Sequence, residues 1–217
     1  MTIHRQHTLL AVALIVALLA QTAQARTIRD FFASEPGNIF ALLPSSTRLD
    51  LLDYYDSGQI VEAQNNLGNG TSLISVGDTL LAMNTSESKT LQMRLLTRPG
   101  KRDTVIAVIE TVKAPVADSR ITFYDTQWRP LPDTRYFKAP GIDDFFLRST
   151  PRHKRQELTQ TLPFALIELQ FDGKDRLTAR HGLKEFLTKE EFSKFRPYMV
   201  DSLVYEVDGN KIKPVKQ

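Results

Sequence analysis

From Thr71 to Tyr124 the hydrophobic period is close to two, and this constrains the fold more than any other feature of the chain. Successive side chains of an extended strand point to opposite faces, so a period of two marks a strand with one face on a core. Leu73 to Val76 and Leu80 to Met83 read as short strands around Gly77-Asp78. Leu91, Met93 and Leu95 alternate with Gln92 and Arg94, the pattern of a half-buried strand. Arg98-Pro99-Gly100-Lys101 turns the chain. Val105 to Ile109 is continuously apolar and mostly β-branched, as expected of a central strand covered on both faces. After Ala114-Pro115, Ile121 and Phe123 alternate with Thr122 and Tyr124 in a further strand. The links are short, so the expectation is an antiparallel meander.

The segments around it have their own signals. Thr27 to Phe32 reads as a short helix. A second helix runs from a cap at Ser45 or Ser46 to Gly58, which stands where a left-handed residue ends a helix. On its wheel Leu49, Leu51, Leu52, Tyr54 and Tyr55 fill more than half the circumference and leave Asp50 and Asp53 a narrow wet stripe. That predicts a helix covered on more than one side, with Leu52 in the core. Gln59 to Leu67 is ambiguous, and Asn66-Leu67-Gly68-Asn69-Gly70 is a loop by its turn chemistry. Asp125 to Pro140 is a long irregular connection holding the single tryptophan, Trp128. Gly141 to Arg148 suggests a short helix. Phe164 to Phe171 and Arg176 to Arg180 form a hairpin about Asp172-Gly173. Thr188 and Glu191 make a capping box, Leu187 and Phe192 stand at staple spacing, and that helix stops before Pro197. Leu203, Tyr205 and Val207 alternate in a strand that turns at Asp208-Gly209-Asn210 into a last one near Ile212, with Pro214 suited to a sheet edge.

The fold class is therefore α+β. N-terminal helices pack on the meander over residues 26–140, and a smaller α+β portion with hairpins and one capped helix follows over 141–217, either separate or continuous with the first. Ile28-Arg29-Asp30-Phe31-Phe32 echoes Ile142-Asp143-Asp144-Phe145-Phe146, which leaves open a duplication or two similar turns that each place a phenylalanine pair in a core.

Residues 1–25 read as a signal peptide. Arg5 precedes the apolar run Leu9 to Ala20, and Ala23-Gln24-Ala25 is a small-x-small cleavage signal before Arg26. The run is short for a membrane span, roughly 20 residues being needed. The expectation is an exported protein, periplasmic or secreted, soluble and without a membrane span once the leader is removed. The chain has 28 Lys and Arg against 25 Asp and Glu, so nucleic acid is not an expected partner. It has no cysteine, which rules out disulfides, thiolate catalysis and thiolate metal sites.

The remaining chemistry is sparse. Beyond the leader the histidines are His153, among Arg152, Lys154 and Arg155, and His181, at a hairpin exit. Both read as surface residues, so histidine-dependent catalysis is not expected. Two histidines make a poor zinc set. Asp50, Asp53 and Asp56 cannot converge on one ion from a regular helix, and no metal or other cofactor is expected. Glu110 and Glu168 each interrupt an apolar strand and are the acids on which a glycosidase-like carboxylate pair would rest. Trp128 with Tyr124 and Tyr136 could offer a stacking surface, or Trp128 could pin the long loop to the core. The basic run with Arg152, Lys154 and Arg155 could meet an anionic glycan, or be a solvated connector.

Leu42-Leu43-Pro44, then Arg48-Leu49-Asp50-Leu51-Leu52-Asp53-Tyr54-Tyr55-Asp56-Ser57-Gly58 and Asn66-Leu67-Gly68, resemble an uncharacterised family of secreted proteins from Bacteroidales. The resemblance implies a Gram-negative periplasmic or exported setting and carries no activity or catalytic residue with it. The resulting expectation is a non-enzymatic binding or interaction module for an unknown protein or glycan partner. The alternative is a carboxylate-dependent hydrolase of glycan or peptidoglycan. Oligomeric state is not fixed by the sequence.

Overall fold

Two helices precede the meander. Helix α1, Ile28–Ser34, opens with a reciprocal cap in which Asp30 accepts from the Thr27 backbone N–H at 2.7 Å and the Thr27 hydroxyl accepts from the Asp30 N–H. Its buried residues are Ile28, Phe31 and Phe32. Helix α2, Ser45–Asp56, follows Pro44 and stops just before Gly58, whose φ of +72° is left-handed. It buries only Arg48, Leu51 and Leu52. The expectation of cover on several sides fails, because α2 lies on the sheet by one stripe and nothing among the described residues covers its back. Leu49 is 51% and Tyr54 41% exposed.

The computed structural model describes residues 26–59, 61–101, 103–161 and 166–215. The expected leader at 1–25 and the start of the expected hairpin strand, Phe164-Ala165, lie outside them. The meander is a seven-stranded antiparallel sheet in sequence order: β1 Ala63–Gln64, β2 Gly70–Val76, β3 Leu80–Ser86, β4 Lys89–Leu96, β5 Val105–Val112, β6 Asp118–Tyr124 and β7 Pro130–Leu131. A second antiparallel sheet has the order β11-β10-β9-β8. Its strands are β8 Ile167–Phe171, β9 Arg176–His181, β10 Ser202–Asp208 and β11 Lys211–Pro214. Helices α3 Arg152–Thr161, α4 Leu183–Phe186 and α5 Lys189–Phe195 accompany it, and α5 has the expected box between Thr188 and Glu191. Among the described residues no helix is long and apolar enough to cross a membrane.

The layers follow from strand alternation. One face of the meander, with Leu81, Met83, Leu91, Met93, Ile106 and Val108, packs against α1, α2, Phe40, Leu43 and Trp128. The other, with Ala107, Ile109, Ile121 and Phe123, packs against the second sheet and the turn at Ile142–Phe145. Strand β5 is thus covered on both faces, which explains its unbroken apolar run. The two copies of the echoed motif fill opposite faces: Phe31 and Phe32 one, Phe145 and Phe146 the other.

Strand β4 departs from its half-buried reading. Its polar alternates face the second sheet rather than water. The Gln92 amide donates to the Phe171 carbonyl at 3.2 Å and accepts from the Phe171 N–H at 2.8 Å, as a neighbouring strand would. The Ser119 hydroxyl accepts from the Leu169 N–H at 2.9 Å and the Asp118 carboxylate from the Ile167 N–H at 3.1 Å. Alternate N–H groups along the outer edge of β8 are therefore taken by side chains of the meander. Arg94 donates to the carbonyls of Asp172 and Lys174 and pairs with Asp175 at 2.5 Å, holding the β8–β9 turn.

The basic run, read as a solvated connector or a surface for an anionic glycan, is helical. Arg152 to Thr161 is helical without an apolar stripe. Its residues are mostly good helix formers, and Lys154–Glu157 and Thr159 to the Arg155 carbonyl are local contacts along it.

Candidate functional site

The helical layer does not reach the end of the meander. Beyond it Thr71 of β2, Thr85 and Ser86 of β3, Lys89 and Leu91 of β4 and Glu110 of β5 form the floor of a cleft of about 330 Å³. Residues 39–43 make one wall, and Asn65 and Asn69 the other.

The first wall is built by a buried charge. Past α1 the chain loops around the Glu35 carboxylate, which accepts from the N–H groups of Gly37, Asn38, Ile39 and Phe40 at 2.6–3.3 Å. The φ of +94° at Gly37 allows this curl. Arg48 of α2 pairs with Glu35 at 3.3 Å, and both side chains are buried. Arg48 also donates to the carbonyls of Ala33, Glu35 and Leu43. A buried pair persists when its remaining hydrogen-bonding groups are satisfied, and here nearly all are. The resulting wall presents Ile39, Leu42 and Leu43 to the cleft.

The second wall is an Asx-type loop. The Asn65 side-chain oxygen accepts from the N–H groups of Leu67 and Asn69, and its amide donates to the Thr85 carbonyl at 3.4 Å. The Asn66 N–H donates to the Leu42 carbonyl at 2.9 Å and ties the two walls together. Lys89 and Glu110 meet at 2.6 Å, so Glu110, the one acid among the described lining residues, has its counter-ion beside it. The cleft is apolar on one side, lined by amides and hydroxyls on the other, and electrically balanced.

Of the sequence-selected residues only Glu110 opens here. Glu168 lines a separate groove of about 440 Å³ with Thr90, Gln92 and Thr111, on the opposite face of the sheet. It lies 4.0 Å from Arg180, its cross-strand neighbour. The sheet stands between the two acids, so they do not face each other across one substrate.

The three aromatics are also divided by it. Trp128 is buried among the side chains under α1 and α2, with Tyr124 tilted against it at 5.7 Å between ring centres. It stands at φ +61° in a turn closed by Asp125, and its buried indole pins the long loop there. Tyr136 is buried on the other face, stacked on Phe123 at 5.3 Å. Arg152 is exposed at the start of α3, Lys154 is paired with Glu157, and Arg155 donates to the Leu147 carbonyl while lying over the Phe146 ring. These cations lie on α3 and do not line the cleft.

His181 is not a surface residue. It is 6% exposed and packs edge-on against Phe145 at 5.1 Å. The hairpin exit that suggested exposure is covered by the chain around Phe145 and Val200, which is remote in sequence. Burial holds its pKa below the usual histidine value, against the opposing pull of Asp201. Among the described residues no cluster of three or more His, Asp or Glu is placed to hold a metal ion. The amides and hydroxyls of the cleft carried no motif; the turn sequence from Asn66 to Gly70 was the one local sign of a shaped loop.

A family pattern spans residues 20–212 of the chain. The chain belongs to the DUF3256 family. That family is described as a protein of unknown function. The fold is similar to that of a solved domain of an uncharacterized protein from Porphyromonas gingivalis W83, with a TM-score of 0.76 and 26% identity, over 88% of this chain and 98% of that one. No curated protein matches the chain. The DUF3256 match includes every wall of the cleft.

Proposed function

We propose that the protein is an exported, non-catalytic binding module, and that its ligand is a neutral sugar held in the cleft between residues 39–43 and the ends of β2 to β5. The observation that carries this is the make-up of the cleft: an apolar wall of Ile39, Leu42 and Leu43 faces a polar wall of Asn65 and Asn69, over a floor that carries the hydroxyls of Thr85 and Ser86. A sugar ring has the same two kinds of surface. Its size, about 330 Å³, is within the range of roughly 300–1,000 Å³ usual for small-ligand sites. The matched Lys89–Glu110 charges favour a neutral molecule. Binding is favoured over hydrolysis because a glycosidase uses two carboxylates about the scissile bond, and among the described residues Glu110 is the one acid that lines this cleft. Export rests on the leader, and secreted material is expected to begin at Arg26 by intact mass.

The test is a panel of neutral and acidic oligosaccharides scored by calorimetry and by release of reducing ends. A neutral member should bind the unaltered chain, and Leu42→Asp, which places a charge on the apolar wall, should weaken it at least about tenfold. Reducing-end release that disappears in Glu110→Gln would make the protein a hydrolase. Binding unchanged by Leu42→Asp would remove the ligand from this cleft.

A further inference from the structure

A second site lies at the opposite end of the meander from the cleft. The cleft takes in Lys89 at the start of β4, and the turn from Arg98 to Lys101 follows the other end of that strand, roughly 20 Å away. There a groove of about 500 Å³ runs between this turn and the β10–β11 turn at 208–211. The two turns are fastened to each other. The Asn210 amide donates to the Asp103 carboxylate at 3.1 Å, and Arg98 pairs with the same carboxylate. Gly209 lies so close to Arg98 that a Cβ on it would stand 2.7 Å from the Arg98 Cγ.

The groove is basic. Arg98, Lys101, Lys211 and Lys213 line it, and Asp208 is the one acid among the described lining residues. The whole chain is near balance, with 28 Lys and Arg against 25 Asp and Glu, so the excess is local. Arg98 is engaged by Asp103. Lys211 stands directly opposite Asp208 in the ladder, yet the Asp208 carboxylate turns to Lys213. Lys101 and Lys211 are exposed and make no ion pair among the described residues. Glu206, the next acid back along β10, stands between Arg176 and Lys213 in the ladder and is shared by two cations. Arg102 and Lys216, the nearest residues in sequence outside the described ones, are cations and not acids.

Charge selects the occupant. Two ammonium groups without counter-ions, one on each of two fastened turns, match a molecule that carries more than one anionic group. Lysine meets phosphate as a point charge, and a phosphate monoester carries about −1.5 to −2 at neutral pH, against a single charge on a carboxylate. We propose that this groove binds a phosphorylated ligand, with Lys101 and Lys211 each taking a phosphate group. Arg98 and Lys213 add to the field and keep their own carboxylates. The site is separate from the cleft and stands whatever the cleft holds.

The experiment is calorimetry of the full chain with tripolyphosphate, beside sedimentation with vesicles of phosphatidic acid in phosphatidylcholine. Tripolyphosphate should bind, less tightly as salt is raised, and more tightly than citrate at equal ionic strength. Lys101→Glu with Lys211→Glu alters two exposed residues, so the melting curve should be kept while binding weakens at least about tenfold. Lys184→Glu with Lys194→Glu makes the same change in net charge on α4 and α5 and should leave binding as it was. Sedimentation with the acidic vesicles, lost in the first double variant, would place the phosphate on a lipid headgroup; binding of tripolyphosphate alone would place it on a soluble molecule. Binding of neither would overturn the proposal. So would citrate binding as tightly, or an equal loss in the two double variants, since the chain would then be answering to charge alone.

Discussion

Arg48 ties together three segments of the N-terminal layer. Its guanidinium links α2 to the Glu35 loop and to the carbonyls of Ala33 and Leu43. Removing one partner of a buried pair strands the other charge, and Arg48→Met is expected to cost about 3–5 kcal/mol in urea denaturation. A loss under about 1 kcal/mol, the size of a surface pair, would show the site to be solvated. His181 sets a pH dependence of opposite origin, since it is buried neutral. Its folded pKa lies below the unfolded value of about 6.5, so the unfolded chain takes up the proton first as pH falls. Its contribution to stability is complete above about pH 6.5 and declines below it, until the folded form also protonates. Denaturation midpoints at pH 7.5 and 5.5 should therefore differ more in the unaltered chain than in His181→Gln. Neither role was visible in sequence. Arg48 sat at the start of an amphipathic helix, and His181 is buried by Phe145 and Val200, which no local pattern brings to it.

Strands were legible where alternation reported burial, and β5 where its loss did. The reading failed at Gln92 and Arg94 because a period of two says which residues share a face, not whether water or another sheet covers it. It assigned no element to Arg152–Thr161 because helix detection by periodicity needs an apolar stripe, and α3 is held by local polar contacts. The clasp on β8 can be dissected one bond at a time. Ser119→Ala should speed hydrogen exchange at the Leu169 amide and leave Phe171 protected, and Gln92→Leu should do the reverse. Each is expected to cost about 1–3 kcal/mol, the price of a buried group left unsatisfied. Simultaneous loss of both amides in either variant would mean that β8 detaches as a unit and that the bonds are not local.

The fold class was readable from the whole chain, but the cleft was not. Its walls and floor come from residues 39–43, 65–71, 85–91 and 110, and none of these segments carries a ligand-binding signature alone. The largest set of buried side chains joins Ala107, Ile109 and Phe123 of the meander to Leu169, Phe171 and Leu177 of the second sheet. Residues 141–217 expressed alone are expected to aggregate in light scattering, having lost that surface and the cap on β8. A monomeric, cooperatively melting fragment would contradict this. Gln92, Asp118 and Ser119 all precede Ile167 in the chain. During synthesis, or during threading through a membrane pore amino end first, the protective groups emerge before the strand they protect. The hazard of a sticky edge is thus met by order of appearance, and a circular permutant that released β8 ahead of the meander would meet it unguarded.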